Sequence, residues 1–315
     1  MKSGYIGSVR FFKNLILLAV IVAIAVPSAT ALRYRMALRD ARGQIVNLSE
    51  QIDGLEAQEA QSALSLLVDV PKEPETPLGS TLEAEVLEYQ TLYPDFYAPQ
   101  PYQATQRTEK TMYLTFDDGP SERTDEILEI LAEKDAKATF YVVGQTSQEN
   151  LERMKKIAEQ GHTLAMHSYS HDYAEIYASV EAYLEDMYQI FCQIRDTTGQ
   201  TPTLFRMPGG SINGYNSAIY QELLAEMLRR GFVPCDWNLS SGDAANTKAT
   251  VPQILANVVG NAGRKERGFV LMHDSVHKTT TVEALGAMID QLREMGFQLE
   301  AMTPQTLPVL YSYRE

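Results

Sequence analysis

The sequence predicts an α/β fold: a parallel sheet of about seven strands, closed into a barrel or laid out as an open doubly wound layer. Three observations predict it. Short apolar runs begin near Met112, Ala138, Thr163, Thr203, Phe232, Gly268 and Phe297. Segments with helical spacing lie between them, over 123–133, 150–160, 177–198, 216–230, 251–264 and 279–294. Gly161, Gly199, Gly231 and Gly296 stand just past four of these segments, where a left-handed cap ends a helix. Strand and helix alternating over roughly 200 residues call for parallel pairing, because each strand reaches its parallel neighbour through a crossover. Seven strands are somewhat short of the usual eight of a barrel. In either architecture function gathers at the C-terminal ends of the strands, where Asp117, Asp118, His167, Arg206 and His273 stand.

Ahead of this region the elements follow in order. Residues 1–32 hold an uncharged apolar stretch, 15–32, preceded by Lys2, Arg10 and Lys13. A bilayer span needs roughly 17–25 apolar residues, so a signal anchor is expected. Ala29-Thr30-Ala31 also fits a cleavage site, which makes secretion after cleavage the alternative. Over 33–70, Leu38, Ala41, Ile45, Leu48, Ile52 and Leu55 alternate three and four residues apart, predicting a short helical stalk. A seam of this length either pairs weakly with a second copy or stays a solvated helix. Residues 71–107 read as a Pro-rich linker, 71–77, followed by an arm rich in Tyr and Pro that packs on the domain. The main domain is expected over 108–315, outside a cell membrane crossed once.

The formal net charge of -14 argues against nucleic acid as a partner. Cys192 and Cys235, the only cysteines, are too far apart for a zinc-site spacing and read as two buried free thiols, with a disulfide left open.

Four motifs carry chemistry. Thr115-Phe116-Asp117-Asp118-Gly119-Pro120 ends a predicted strand with paired carboxylates, which can divide metal binding from general-base work. His167-Ser168-Tyr169-Ser170-His171 sets two imidazoles four residues apart; with one carboxylate they make a three-ligand set that leaves coordination positions open. Arg206-Met207-Pro208-Gly209-Gly210 sends an arginine out of a core strand, where it needs a carboxylate partner, and its glycine N–H groups can face an oxyanion. Phe269-Val270-Leu271-Met272-His273 delivers a histidine to the same face. His162 and His277 read as structural and solvated residues.

In this order and on these residues, the chain resembles the polysaccharide deacetylase family, also called the NodB-homology or carbohydrate esterase family 4 domain, over about residues 108–310. The resemblance implies a distorted (β/α) barrel of about seven strands. It implies that Asp118, His167 and His171 bind one divalent metal ion, zinc first, with cobalt, nickel or manganese as alternatives. Asp117 would be the general base and His273 the general acid. Arg206 would hold Asp117, and the Gly209 N–H would help stabilise the oxyanion. Tyr169, Pro208, Trp237 and Leu271 would line the substrate pocket.

The sequence departs from the family where a Trp-x-x-Asp-x-x-Asp-Trp pattern is usual. Here the stretch runs from Trp237 to Ala244, with Ser240 in place of the Asp that tunes the catalytic histidine. Asp243 is the expected substitute and Asp236 the second candidate. Gly209 also stands where the family carries Tyr. The expected activity is metal-dependent removal of N-acetyl groups from an extracellular acetylated polysaccharide, peptidoglycan N-acetylglucosamine first. The alternatives are an O-acetyl esterase on xylan, a deacetylase of exported poly-N-acetylglucosamine, and, from another class, an inactive cell-wall-binding protein.

Overall fold

The computed structural model describes residues 86–244 and 249–311. The anchor, the stalk and the Pro-rich part of the linker lie outside the described residues. From Thr111 onward strand and helix alternate. The first half comprises β1 (Thr111–Asp117), α1 (Glu122–Glu133), β2 (Ala138–Val143), α2 (Gln148–Glu159) and β3 (Thr163–Ser168). A single turn α3 (Tyr173–Ile176), the long α4 (Val180–Thr198) and β4 (Leu204–Phe205) follow. Then come α5 (Tyr220–Arg229), β5 (Val233–Pro234), β6 (Leu239–Ser240), α6 (Val251–Ala262), β7 (Arg267–His273), α7 (Thr279–Glu294) and β8 (Gln298–Leu299). Ser121, Ser147 and Ser179 start α1, α2 and α4 by accepting a backbone N–H from the first turn.

All pairings are parallel, in the order β5-β4-β3-β2-β1-β7-β6, with the two-residue β8 added beside β1. Seven strands thus curl into a half-barrel. Among the described residues β5 and β6 are its two ends and do not pair with each other, which leaves the half-barrel open. Pro234, which lacks an N–H, is tolerated because β5 is an edge. The expected seven strands differ in one member. β6 was not anticipated, and the run near Phe297 gives only the stub β8.

The pleat sorts side chains into two apolar layers. Met112, Leu114 and Phe116 of β1 face the helices and join the main core with Phe140, Ile190, Met272 and Ile289. Tyr113 faces the concave side with Tyr141, Val233, Phe269 and Met302. Thr115 and Asp117 share the face of Tyr113, and Leu271 and His273 share that of Phe269. Cross-strand register sets Asp117 opposite His273. The segment ahead of β1 lies against the domain: Phe96 is buried on Phe191 and Phe232. Both cysteines are free; Cys235 is buried, but Cys192 is only half-buried.

Candidate active site

The site forms where β1, β3, β4 and β7 end. Asp118 follows β1 directly, with φ at +73°. A left-handed backbone is uncommon outside glycine, though Asp tolerates it better than most, and it turns the carboxylate away from the strand. His171 shares this conformation, with φ at +55°. His167 reaches the same place by another device. In the β2–β3 ladder Val142 pairs with Met166 and Val143 with Ser168, so His167 is the extra residue of a bulge. Bulges re-aim a side chain at the end of a strand.

Asp118, His167 and His171 each offer one ligand atom, and these atoms lie within 4.8 Å of one another. Asp118 Oδ1 is 3.3 Å from His171 Nε2 and 3.7 Å from His167 Nε2. Ligand atoms bound tetrahedrally at roughly 2.0–2.1 Å from a zinc ion would stand about 3.3 Å apart, so the spacing suits a small divalent cation. The tautomer suits it too. His167 Nδ1 donates to the Arg206 carbonyl at 2.8 Å, which leaves the Nε2 lone pair facing the triad. Burial lowers the His167 pKa to about 3 and keeps the ring neutral. The two imidazoles and the one carboxylate therefore fit a divalent metal by both spacing and ligand type.

The loop carrying the two histidines is tied to α4. Asp186 accepts from Ser168 Oγ at 2.6 Å and from the N–H groups of Tyr169 and Ser170, each at 2.8 Å. Ser168 Oγ in turn accepts the His171 N–H. Asp274 does the same for the other ligand loop, accepting from Ser121 Oγ and Thr124 Oγ1. A side chain on Gly119 would collide with the Asp274 carboxylate, so glycine admits this close approach. Burial raises the Asp274 pKa to about 6.

Beside the triad stands a buried ion pair. Arg206, with no exposed surface, donates from Nη1 to Asp117 Oδ1 at 2.7 Å. It also donates to Thr115 Oγ1 and to the carbonyls of Cys235 and Asp236. Its guanidinium lies 4.1 Å from the Tyr141 ring centroid. Asp117 Oδ2 points the other way and stands 3.7 Å from His167 Nε2. Burial raises the Asp117 pKa, and the charges of Arg206 and His273 hold that rise back.

The third group is a dyad. His273 Nδ1 is 2.7 Å from Asp243 Oδ1, while Asp243 Oδ2 accepts from the His273 N–H and Thr281 Oγ1, each at 2.9 Å. Burial acts to lower the His273 pKa, but the bond to Asp243 and its charge more than offset this, so the pKa ends above the usual imidazole value. The carboxylate beside the histidine thus comes from Asp243, three residues past Ser240. Ser240 is exposed and accepts the Gly242 N–H. Asp236 lies elsewhere: it accepts from the N–H and Oγ of Ser211 and from the Tyr311 N–H.

Among the expected pocket residues, Leu271 lies on the concave face beside Thr115. Trp237 stands 5.7 Å from the Arg206 guanidinium and meets the Tyr311 ring edge-on at 5.2 Å. The Pro208 carbonyl accepts from Tyr177 Oη and Asn213 Nδ2. Tyr169 is not brought together with them: a side chain on Gly144 would meet its ring, and the cleft it lines holds Asp186 and Gln189 of α4. Gly209 has φ at +78°, and a Cβ there would lie 2.8 Å from the Tyr173 ring. Asp186 and Asp274 were missed. The one available signal for Asp186 is an acid on the apolar face of a helix, beside Tyr183 and Met187. Of the histidines set aside, His162 is buried and accepts the Ala138 N–H through Nδ1, and His277 is exposed.

Comparison with known proteins gives one consistent result. The family model described as polysaccharide deacetylase matches residues 104–228. A peptidoglycan-N-acetylglucosamine deacetylase of Bacillus cereus is 36% identical over 208 residues, covering 65% of this chain and 72% of that protein. The crystal structure of the catalytic domain of a peptidoglycan N-acetylglucosamine deacetylase from Eubacterium rectale superposes with a TM-score of 0.62 at 34% identity, covering 67% of this chain and 96% of that one. A polysaccharide deacetylase structure from Bacillus cereus gives 0.56 at 34% identity, covering 62% and 93%.

Proposed function

The chain belongs to the polysaccharide deacetylase family, and from that premise we propose that it hydrolyses N-acetyl groups of an extracellular polysaccharide, peptidoglycan N-acetylglucosamine first. The observation that carries the reading is the juxtaposition of three units: the Asp118–His167–His171 triad, the Asp117–Arg206 pair and the His273–Asp243 dyad. Hydrolysis of an unactivated amide needs a generated nucleophile, a stabilised oxyanion and a proton for the leaving amine. Asp118, His167 and His171 would hold a divalent cation, zinc as the proposed occupant, and that cation would supply a lowered pKa for water and polarisation of the acetyl carbonyl.

The chain's own residues divide the remaining work. Arg206 occupies Asp117 Oδ1 and keeps the carboxylate ionised in a buried place. Oδ2, turned toward the triad, takes the proton of the attacking water. The Gly209 N–H serves the oxyanion. Asp243 holds His273 Nδ1, so the opposite nitrogen, Nε2, is the one that delivers a proton to the departing nitrogen. The carbon–nitrogen bond breaks, leaving acetate and a free amine.

The peptidoglycan relatives support the choice of sugar, and the apolar stretch over 15–32 supports export and a membrane tether. The test is acetate release from chitooligosaccharides, peptidoglycan and acetylxylan, with and without chelator. We expect release from the N-acetylated glycans, loss with chelator and recovery with zinc. Asp117→Asn should lose at least about a hundredfold in kcat, the scale of general-base catalysis, while keeping its metal. Release from acetylxylan alone would replace the amide substrate by an ester. Release from no glycan would leave the binding-protein reading.

A further inference from the structure

We propose that Tyr173 and Tyr215 form an aromatic platform that stacks on the sugar next to the one being deacetylated, a role that rests on the glycan-deacetylase reading above. Two aromatic positions of the family pattern are vacant here, since Gly209 stands for Tyr and Ala244 for Trp. The structure supplies rings from elsewhere. Tyr173, two residues past the candidate ligand His171, meets that imidazole edge-on at 5.4 Å. Its ring occupies the space that a side chain at Gly209 would take. Tyr215 then meets Tyr173 at 5.3 Å with an interplanar angle of 61°. The three rings step outward from the triad to the surface, where Tyr215 is 62% exposed.

Single exposed aromatics are ordinary. This one is presented by a braced loop. Asn213 Oδ1 accepts the Tyr215 N–H at 2.8 Å, and Asn213 Nδ2 donates to the carbonyls of Pro208 and Gly210. Asn216, fully buried, accepts the Asn213 N–H and donates to the Ser211 carbonyl. A loop held this tightly, ending in an exposed ring beside the oxyanion glycine, is pre-organised for a flat partner. Pyranose faces present polarised C–H groups, which suit the electron-rich face of tyrosine. An acetylated glycan strand threading past the triad meets these rings first.

The test compares wild type, Tyr215→Ala, Tyr215→Phe and Tyr173→Ala as zinc-loaded full-length protein. The readouts are zinc content, kinetics on an N-acetylchitopentaose probe and on a small aryl acetate, and calorimetric Kd for the pentaose. Tyr215→Ala should raise KM and Kd for the pentaose about tenfold, as loss of one stacking contact does. Its kcat, its zinc content and its activity on the aryl acetate should stay at wild-type values. Tyr215→Phe should behave as wild type, and Tyr173→Ala should weaken the pentaose at least as much as Tyr215→Ala. An unchanged KM and Kd in Tyr215→Ala overturns the platform, as does an equal loss on the aryl acetate. If wild type binds the pentaose but releases no acetate, a weaker Kd in Tyr215→Ala upholds the platform while the deacetylase reading falls. If it does not bind, both fall.

Discussion

Asp117 has two oxygens with different obligations. Oδ1 is committed to Arg206 and Oδ2 faces the triad, so one carboxylate is both anchored and available. The adjacent Asp118 cannot exchange roles with it, because its left-handed backbone sends its side chain to the histidines. The pair Asp-Asp was legible in the sequence, but the commitment of each oxygen was not, since it depends on an arginine 89 residues away. At this scale the pH profile can be derived. In the proposed mechanism, turnover needs Asp117 ionised and His273 protonated. Activity therefore rises as pH passes the Asp117 pKa, which burial sets above the ordinary carboxylate value. It falls as pH passes the His273 pKa, which Asp243 holds above the ordinary imidazole value against the pull of burial. Asp243→Asn removes the hydrogen bond and the charge that chiefly oppose burial and leaves only the charges of Asp117 and Asp118 against it, so the alkaline limb of kcat/KM should move to lower pH, while the acidic limb moves far less. A pH–rate profile of the two proteins checks this, and an unmoved alkaline limb would remove His273 as the acid.

Elements differ in how plainly they announced themselves. β1, β2, β3 and β7 are buried runs of six or seven residues and were readable as such. β4, β5 and β8 have two residues each, too few to develop a period, yet the apolar runs near Thr203, Phe232 and Phe297 marked their places; β6, also two residues, lies in a polar stretch that hides it. The β3 bulge was equally silent, because a bulge is defined by the partner strand. It nevertheless supplies His167. The histidine loop also depends on a helix it does not belong to: Asp186 of α4 collects three hydrogen bonds from residues 168–170. Residues that orient metal ligands from behind typically carry 10- to 100-fold in affinity. Asp186→Ala should weaken zinc binding by about that factor in competition with a chromogenic chelator, while the far-ultraviolet dichroism stays at the wild-type level. Unchanged zinc affinity would show that the loop holds its shape without α4.

At the scale of the molecule, the half-barrel divides labour between its faces. The convex side packs helices over the main core, and the concave side carries a small apolar floor beneath the site. On one flank the chain before β1 is gripped by Arg230, whose guanidinium donates to the carbonyls of Tyr89, Leu92, Tyr93 and Phe96 while Nε pairs with the buried Glu226. Arg230→Met should cost on the order of 3 kcal/mol, because four carbonyls lose their donor, while Glu226 keeps Arg229 as its remaining partner. Urea unfolding reads the loss, and limited proteolysis should now cut between residues 86 and 103. Full resistance to protease would show that Phe96 alone secures the segment. The same grip has a mechanical meaning. Any load arriving along the chain from ahead of Val86 reaches the Arg230 clasp before it reaches β1, the strand that ends in Asp117. The clasp is then a strain relief: tension spends itself peeling four carbonyls from one guanidinium, and the carboxylates stay at rest.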